Sequence, residues 1–273
     1  MKDIGFMNPT GSTGTISYME DTLHLAKAVA IEAGDIMLDS FGLDTVHTLK
    51  ADHSPLTAAD TKVNALVIER IRTEFPEHSF LGEEGTQASE SEYVWVFDPI
   101  DGTVPYMRGI PTNVFSLALV KDGVPILGVV YDPYMKRLYH AVKDGGAFMN
   151  DKPIHTSERT DLSHTYIETD HHKGFVDLSI LTRLMANDVR FLSYSSTVYG
   201  SALVASGQTE GVIFPGRKPW DAASAKILIE EAGGMTSDIA GNSQRYDRDL
   251  NGFIAGCTKE YHAKLLALIA SAT

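Results

Sequence analysis

The sequence predicts two architectures joined in one chain: an α+β first half, with helices over an antiparallel sheet, and an α/β second half. Three observations predict it. Apolar residues recur at helical spacing up to about residue 76. Short β-branched and aromatic runs with turn signals follow up to about residue 150. Beyond that point short strands and helices alternate.

The first helix spans Tyr18 to Phe41, with Leu25, Ala28, Val29, Ala33, Ile36 and Met37 on one face and Gly42 as its stop. Residues 1–17, rich in Gly, Ser and Thr toward the start, form a flexible tail. A second helix runs from Asp60 to Phe75 on a stripe of Val63, Leu66, Val67 and Ile71, and Pro76 ends it. Ser79-Phe80-Leu81 and Tyr93 to Phe97 suit buried strands. Val114–Lys121 and Val124–Asp132 flank Asp122-Gly123, a strong hairpin signal, and Leu138–Val142 extends the meander. In the second half, strands are expected at Thr165–Glu168, Arg190–Leu192, Gly211–Phe214 and Phe253–Ala255. Helices are expected at Leu178–Met185, Thr197–Ala205, Ala222–Ala232 and Lys259–Ala270. No Pro- or Gly/Ser-rich linker separates 18–150 from 151–273, so the halves pack as one unit with a cleft between them.

Composition removes several function classes. The chain has 273 residues and a net charge of −13, with no basic stripe for nucleic acid. No apolar run is long enough to span a membrane, and no signal peptide is visible. The one cysteine, Cys257, excludes an internal disulfide and a cysteine-based zinc site, and fits a cytoplasmic setting.

The acids carry the chemistry. Asp98 and Asp101 follow directly on the strand ending at Phe97. Pro99 holds Asp98 extended, and Gly102 permits a backbone that a side chain opposes. Two carboxylates this close repel unless a cation lies between them, and Mg²⁺ takes oxygen ligands of this kind. A solvated acidic turn is the bland alternative. Glu83 and Glu84 follow another apolar strand. Asp221 and Asp60 each stand where a helix begins, so a capping role is open for both.

These words together, Asp98-Pro-Ile-Asp-Gly-Thr103, Trp220-Asp221-Ala-Ala, Ala232-Gly-Gly234, Gly82-Glu83-Glu84 and Thr57-Ala-Ala-Asp60, resemble the inositol monophosphatase superfamily over roughly residues 18 to 270. The resemblance implies a layered αβαβα sandwich, a homodimer and lithium-sensitive hydrolysis of a small phosphorylated metabolite with two or three Mg²⁺. It implies metal ligands at Glu83, Asp98, the Ile100 carbonyl, Asp101 and Asp221. Catalytic roles fall to Glu83, Thr103 and Asp60, the last two as a pair that activates water. Lys50 matches loosely a lysine near a third metal. Glu84 is expected to face away from the ions, since strand residues alternate.

Substrate contacts are expected at Gly102, Thr103, Ser195, Ser196, Thr197, Arg217 and Asp221; Ser195 to Thr197 also open a helix, so simple capping is open for them. Inositol-specific members have a glutamate where this chain has Phe214, which cannot accept hydroxyl hydrogen bonds. Arg217 and Lys218 offer charge for a second phosphate, or are solvated surface. Inositol monophosphate, histidinol phosphate, fructose 1,6-bisphosphate and 3′-phosphoadenosine 5′-phosphate are the candidate substrates. The loop Asp170-His171-His172-Lys173 lines the pocket or is solvated. A regulatory protein keeping the fold is the competing class; none of the expected acids is missing here. A Ca²⁺-binding structural protein is disfavoured because no EF-hand spacing occurs.

Overall fold

The computed structural model describes residues 12–43, 45–51, 54–169 and 179–270. In chain order the elements are α1 (Ser12–Ser40), β1 (His47–Leu49), β2 (Pro55–Thr57), α2 (Ala58–Glu74), β3 (Ser79–Gly82), β4 (Gly85–Gln87), β5 (Tyr93–Asp101) and α3 (Thr103–Tyr106). Then come β6 (Val114–Lys121), β7 (Val124–Asp132), β8 (Arg137–Val142), β9 (Gly146–Met149) and β10 (Lys152–Pro153). The second half holds β11 (Tyr166–Thr169), α4 (Ser179–Ala186), β12 (Arg190–Leu192), α5 (Thr197–Ala205), β13 (Gly211–Phe214), a 3₁₀ turn (Pro219–Asp221), α6 (Ala223–Glu231), β14 (Met235–Ser237), β15 (Phe253–Gly256) and α7 (Lys259–Ala270).

Five layers result. An eight-stranded sheet has the order β10-β9-β8-β7-β6-β5-β3-β4 and is antiparallel except where β3 runs parallel to β5. Helices α1 and α2 cover one face over a core that includes Val29, Met37, Val67, Ile71, Trp95 and Phe115. Helices α5 and α6 cover the other face and also touch the second sheet, β12-β11-β13-β15-β14. Helices α4 and α7 close the outside over Ile167, Leu184, Ile254 and Leu265. The layered αβαβα sandwich is therefore the fold. One continuous core takes Val96 and Val130 from the first half and Val198, Leu228 and Phe253 from the second.

Helix α1 begins at Ser12, earlier than the expected Tyr18. Strand β5 does not end at Phe97. It continues to Asp101 with a register shift between Asp98 and Asp101, so the two acids lie in the sheet rather than after it. A register shift of this kind re-aims side chains. Asp170 to Lys173 lie outside the described residues. No helix among the described residues is long and apolar enough to cross a membrane.

Candidate active site

The one parallel pair of the eight-stranded sheet, β3 with β5, creates the site. Gly82 and Phe97 are register partners, so Glu83, where β3 ends, lies level with Asp98 on β5, which continues in the sheet. The Glu83 N–H donates to the Phe97 carbonyl at 3.3 Å. Gly82 is required here, because a Cβ would lie 2.7 Å from the Phe97 ring. Asp98 caps its own turn by accepting the Ile100 N–H at 2.9 Å. Gly102 adopts φ +94°, and a Cβ there would crowd Ser196 and Asn113 at 3.1 and 3.2 Å.

Asp98 and Asp101 are buried, and with Asp221 from the 3₁₀ turn they offer carboxylate oxygens within 4.8 Å of one another. They line an open cleft of about 650 Å³ with Lys50, Glu83, Thr103, Ser195 and Lys218 among its walls. Burial, and then the charges of Glu83, Asp101, Asp221 and Asp60, push the Asp98 carboxyl well above the usual carboxylate range. Burial likewise raises Asp101, opposed by hydrogen bonds from Ser196 and Val198. Oxygen-only donors crowded enough to hold protons fit a hard divalent cation, whose charge relieves the same repulsion.

Asp221 does not cap α6. The residue at that position is Ala222. Asp60 does serve its helix: Thr57 and Asp60 form a capping box, with Asp60 Oδ2 accepting the Thr57 N–H at 2.7 Å and its hydroxyl at 2.6 Å. The other oxygen, Oδ1, is buried and has no hydrogen-bond partner among the described residues. The expected Thr103–Asp60 pair is not formed. The Thr103 hydroxyl donates instead to the Ile100 carbonyl at 3.2 Å, and the capping box engages Asp60.

Glu84 lies two residues past the end of β3 at Gly82, so strand alternation does not set where its side chain points. Lys50 donates to Glu83 at 2.6 Å and to Glu84 at 2.5 Å, binding both carboxylates with one ammonium. Ser196 is the N-cap of α5, its Oγ accepting the Tyr199 N–H at 3.3 Å. It donates to Asp101 Oδ2 at 2.6 Å, and the Val198 N–H at the start of α5 donates to the same oxygen at 2.7 Å. Ser195 and Thr197 do line an adjoining pocket, together with Phe214, Arg217 and Lys218.

The structure adds residues that no spacing marks. Glu168, buried at the end of β11, accepts the Tyr194 N–H with both oxygens at 3.1 Å and so fixes the turn before Ser195. Ser195 itself has φ +54°, a left-handed conformation that glycine adopts more easily. Asp249 sits 3.7 Å from both Arg217 and Lys218. Cys257 is buried, and burial pushes its thiol up to about 12, so it is an inert core side chain.

The model of the inositol monophosphatase family matches residues 19–273. A protein of Xylella fastidiosa named Nus factor SuhB is 30% identical over 255 residues, covering 89% of this chain and 92% of that one. A fructose-1,6-bisphosphatase/inositol-1-monophosphatase of Aquifex aeolicus is 32% identical over 258 residues, covering 88% and 96%. The solved structure of a Thermotoga maritima IMPase superimposes with a TM-score of 0.83 at 26% identity, covering 92% of this chain and 97% of that one.

Proposed function

The chain belongs to the inositol monophosphatase family, and from that premise we propose that it is a Mg²⁺-dependent, lithium-sensitive hydrolase of small phosphate monoesters that works as a homodimer. One observation carries the reading: three acids from two distant stretches of chain converge in one cleft, within 4.8 Å of one another.

Asp98, Asp101 and Asp221 would hold the cations, joined by Glu83 and the Ile100 carbonyl. Bound Mg²⁺ supplies positive charge to the phosphate oxygens and lowers the pKa of water. The side chains do the rest. Lys50 now neutralises Glu83 and must share that carboxylate when the site is loaded. Thr103 stands at the cleft wall, and its hydroxyl is too weak an acid to work alone. Passing a proton inward requires it to leave the Ile100 carbonyl and turn to a carboxylate. Asp60 Oδ1, buried and unengaged, is the acceptor for that proton. Burial raises the Asp60 pKa, which suits a proton acceptor. Gly102 and Thr103 form the wall that meets the phosphate. Ser196 and the start of α5 hold Asp101 in its rotamer.

The SuhB relative carries the name of a Nus factor. Since every expected acid is present here and Asp98, Asp101 and Asp221 converge, hydrolysis is the reading we favour over regulation alone.

The experiment is phosphate release from inositol 1-phosphate, histidinol phosphate, fructose 1,6-bisphosphate and 3′-phosphoadenosine 5′-phosphate. Release should require Mg²⁺, stop with a chelator and fall with Li⁺. Equal release without any divalent cation, or none from the whole panel, would refute the proposal.

A further inference from the structure

We propose that the pocket beside the cation cleft receives a second phosphate of the substrate, held by Arg217 and Lys218, so that the preferred substrate is a small bisphosphate rather than a polyol monophosphate. This deepens, and rests on, the phosphatase reading above.

The pocket, about 230 Å³, opens off the cleft and shares Asp101, Ser195, Lys218 and Asp221 with it. A group bound there lies next to a phosphate held at the acids. Its wall is built against polyol recognition. Phe214, at the end of β13, folds its ring beneath Gly216, where a Cβ would sit 2.0 Å from the Phe214 Cζ. Ring and glycine fit only each other, and the ring accepts no hydroxyl hydrogen bond. Away from the cation-binding acids, the charged groups of this wall are two cations, Arg217 and Lys218.

Those cations are loosely engaged. Both reach for one carboxylate, Asp249, at 3.7 Å. Their side chains are 73% and 53% exposed, and that of Asp249 is 54% exposed. Ion pairs this long and this wet are easily exchanged. Two cations facing one anion leave a surplus positive charge, in a protein whose net charge is −13. The arrangement is held in place. The Leu250 N–H donates to the Arg217 carbonyl at 2.7 Å, which pins Asp249 beside the pair. Lys218 also lies over the Trp220 ring at 5.4 Å, one residue from Asp221. Asp249 thus occupies the cations until a doubly charged phosphate displaces it, because a guanidinium and an ammonium bind phosphate more strongly than one carboxylate.

The test uses two matched pairs that differ by one phosphate: fructose 1,6-bisphosphate with fructose 1-phosphate, and 3′-phosphoadenosine 5′-phosphate with adenosine 3′-phosphate. The readout is the ratio of kcat/KM, bisphosphate over monophosphate, with Mg²⁺ present. In at least one pair the wild-type ratio should exceed one. It should fall about ten-fold in Arg217→Ala, the loss of one charge-assisted hydrogen bond. It should rise in Asp249→Asn, which removes the competing carboxylate and keeps the loop. Ratios at or below one in both pairs, or a ratio above one that neither variant moves, would overturn the inference and leave the phosphatase standing. Release from none of the four substrates would count against the phosphatase reading itself, and the inference would fall with it.

Discussion

The segment 98–103 and the loop 215–218 border the same cleft and are built in opposite ways. The first is buried strand and tight turn. Asp98 is tied to Ile100, Asp101 to Ser196 and Val198, and Gly102 admits no side chain. The second is a rim whose cations hold a carboxylate at 3.7 Å in open solvent. Groups that do chemistry on a phosphate must be placed by the fold. Groups that choose the rest of the molecule are left where they can exchange partners. The difference predicts that substitutions in the first region cost the reaction or the fold, and those in the second change only preference.

The strongest test is Asp98→Asn. It should lower Mg²⁺-dependent phosphate release by at least about a thousand-fold, because the acid at the centre of the set is lost. Circular dichroism should show the fold intact. The same variant tests the electrostatics. Burial and crowding raise Asp98, so the folded state keeps a proton that the unfolded chain has released. That contribution is complete below the unfolded carboxylate pKa and is lost as pH rises through the folded value. Metal-free Asp98→Asn should therefore gain stability over the metal-free wild type on going from about pH 5 to about pH 8, by urea unfolding. A constant difference would mean the crowding is not there.

Gly102→Ala comes next. The positive φ and the contacts with Ser196 and Asn113 should cost about 1–3 kcal/mol in urea unfolding, and shift Thr103 with it. Unchanged stability would show a more pliable turn. Ser196→Ala should act less on the fold than on the cations. Losing a 2.6 Å bond to the Asp101 carboxylate should raise the Mg²⁺ half-saturation about ten-fold, and Ser196→Thr should restore it. The smallest effect is expected for Ser195→Gly, which relieves a left-handed backbone at the cost of chain entropy. Stability should stay within about 1 kcal/mol of wild type.

Much of this was legible in the chain, for definable reasons. The Asp122-Gly123 hairpin and the stripe of Val63, Val67 and Ile71 are local patterns, and each forms where expected. The acids announce themselves by local words. What the sequence does not display is which atom each side chain chooses. Thr103 and Asp60 were expected as partners, but a local capping box took Asp60 and a carbonyl three residues away took Thr103. Glu84 was placed by strand alternation beyond the point where the strand stops. Ser196 opens the expected helix and caps it, and only the approach of α5 to β5 turns its hydroxyl toward Asp101 as well. Lys50 and Asp249 lie 33 and 32 residues from the groups they pair with, Glu83 and Arg217, and no spacing rule reaches that far.

The parallel pairing of β3 with β5, within a sheet otherwise antiparallel, has a consequence for portability. A strand that stops beside one that runs on with a register shift, a glycine on the first admitting the phenylalanine ring of the second, and a helix start facing them set Glu83, Asp98 and Asp101 in place. A designer moving this centre to another scaffold should copy that strand pair and its helix, and can choose the rim afresh for each new cargo.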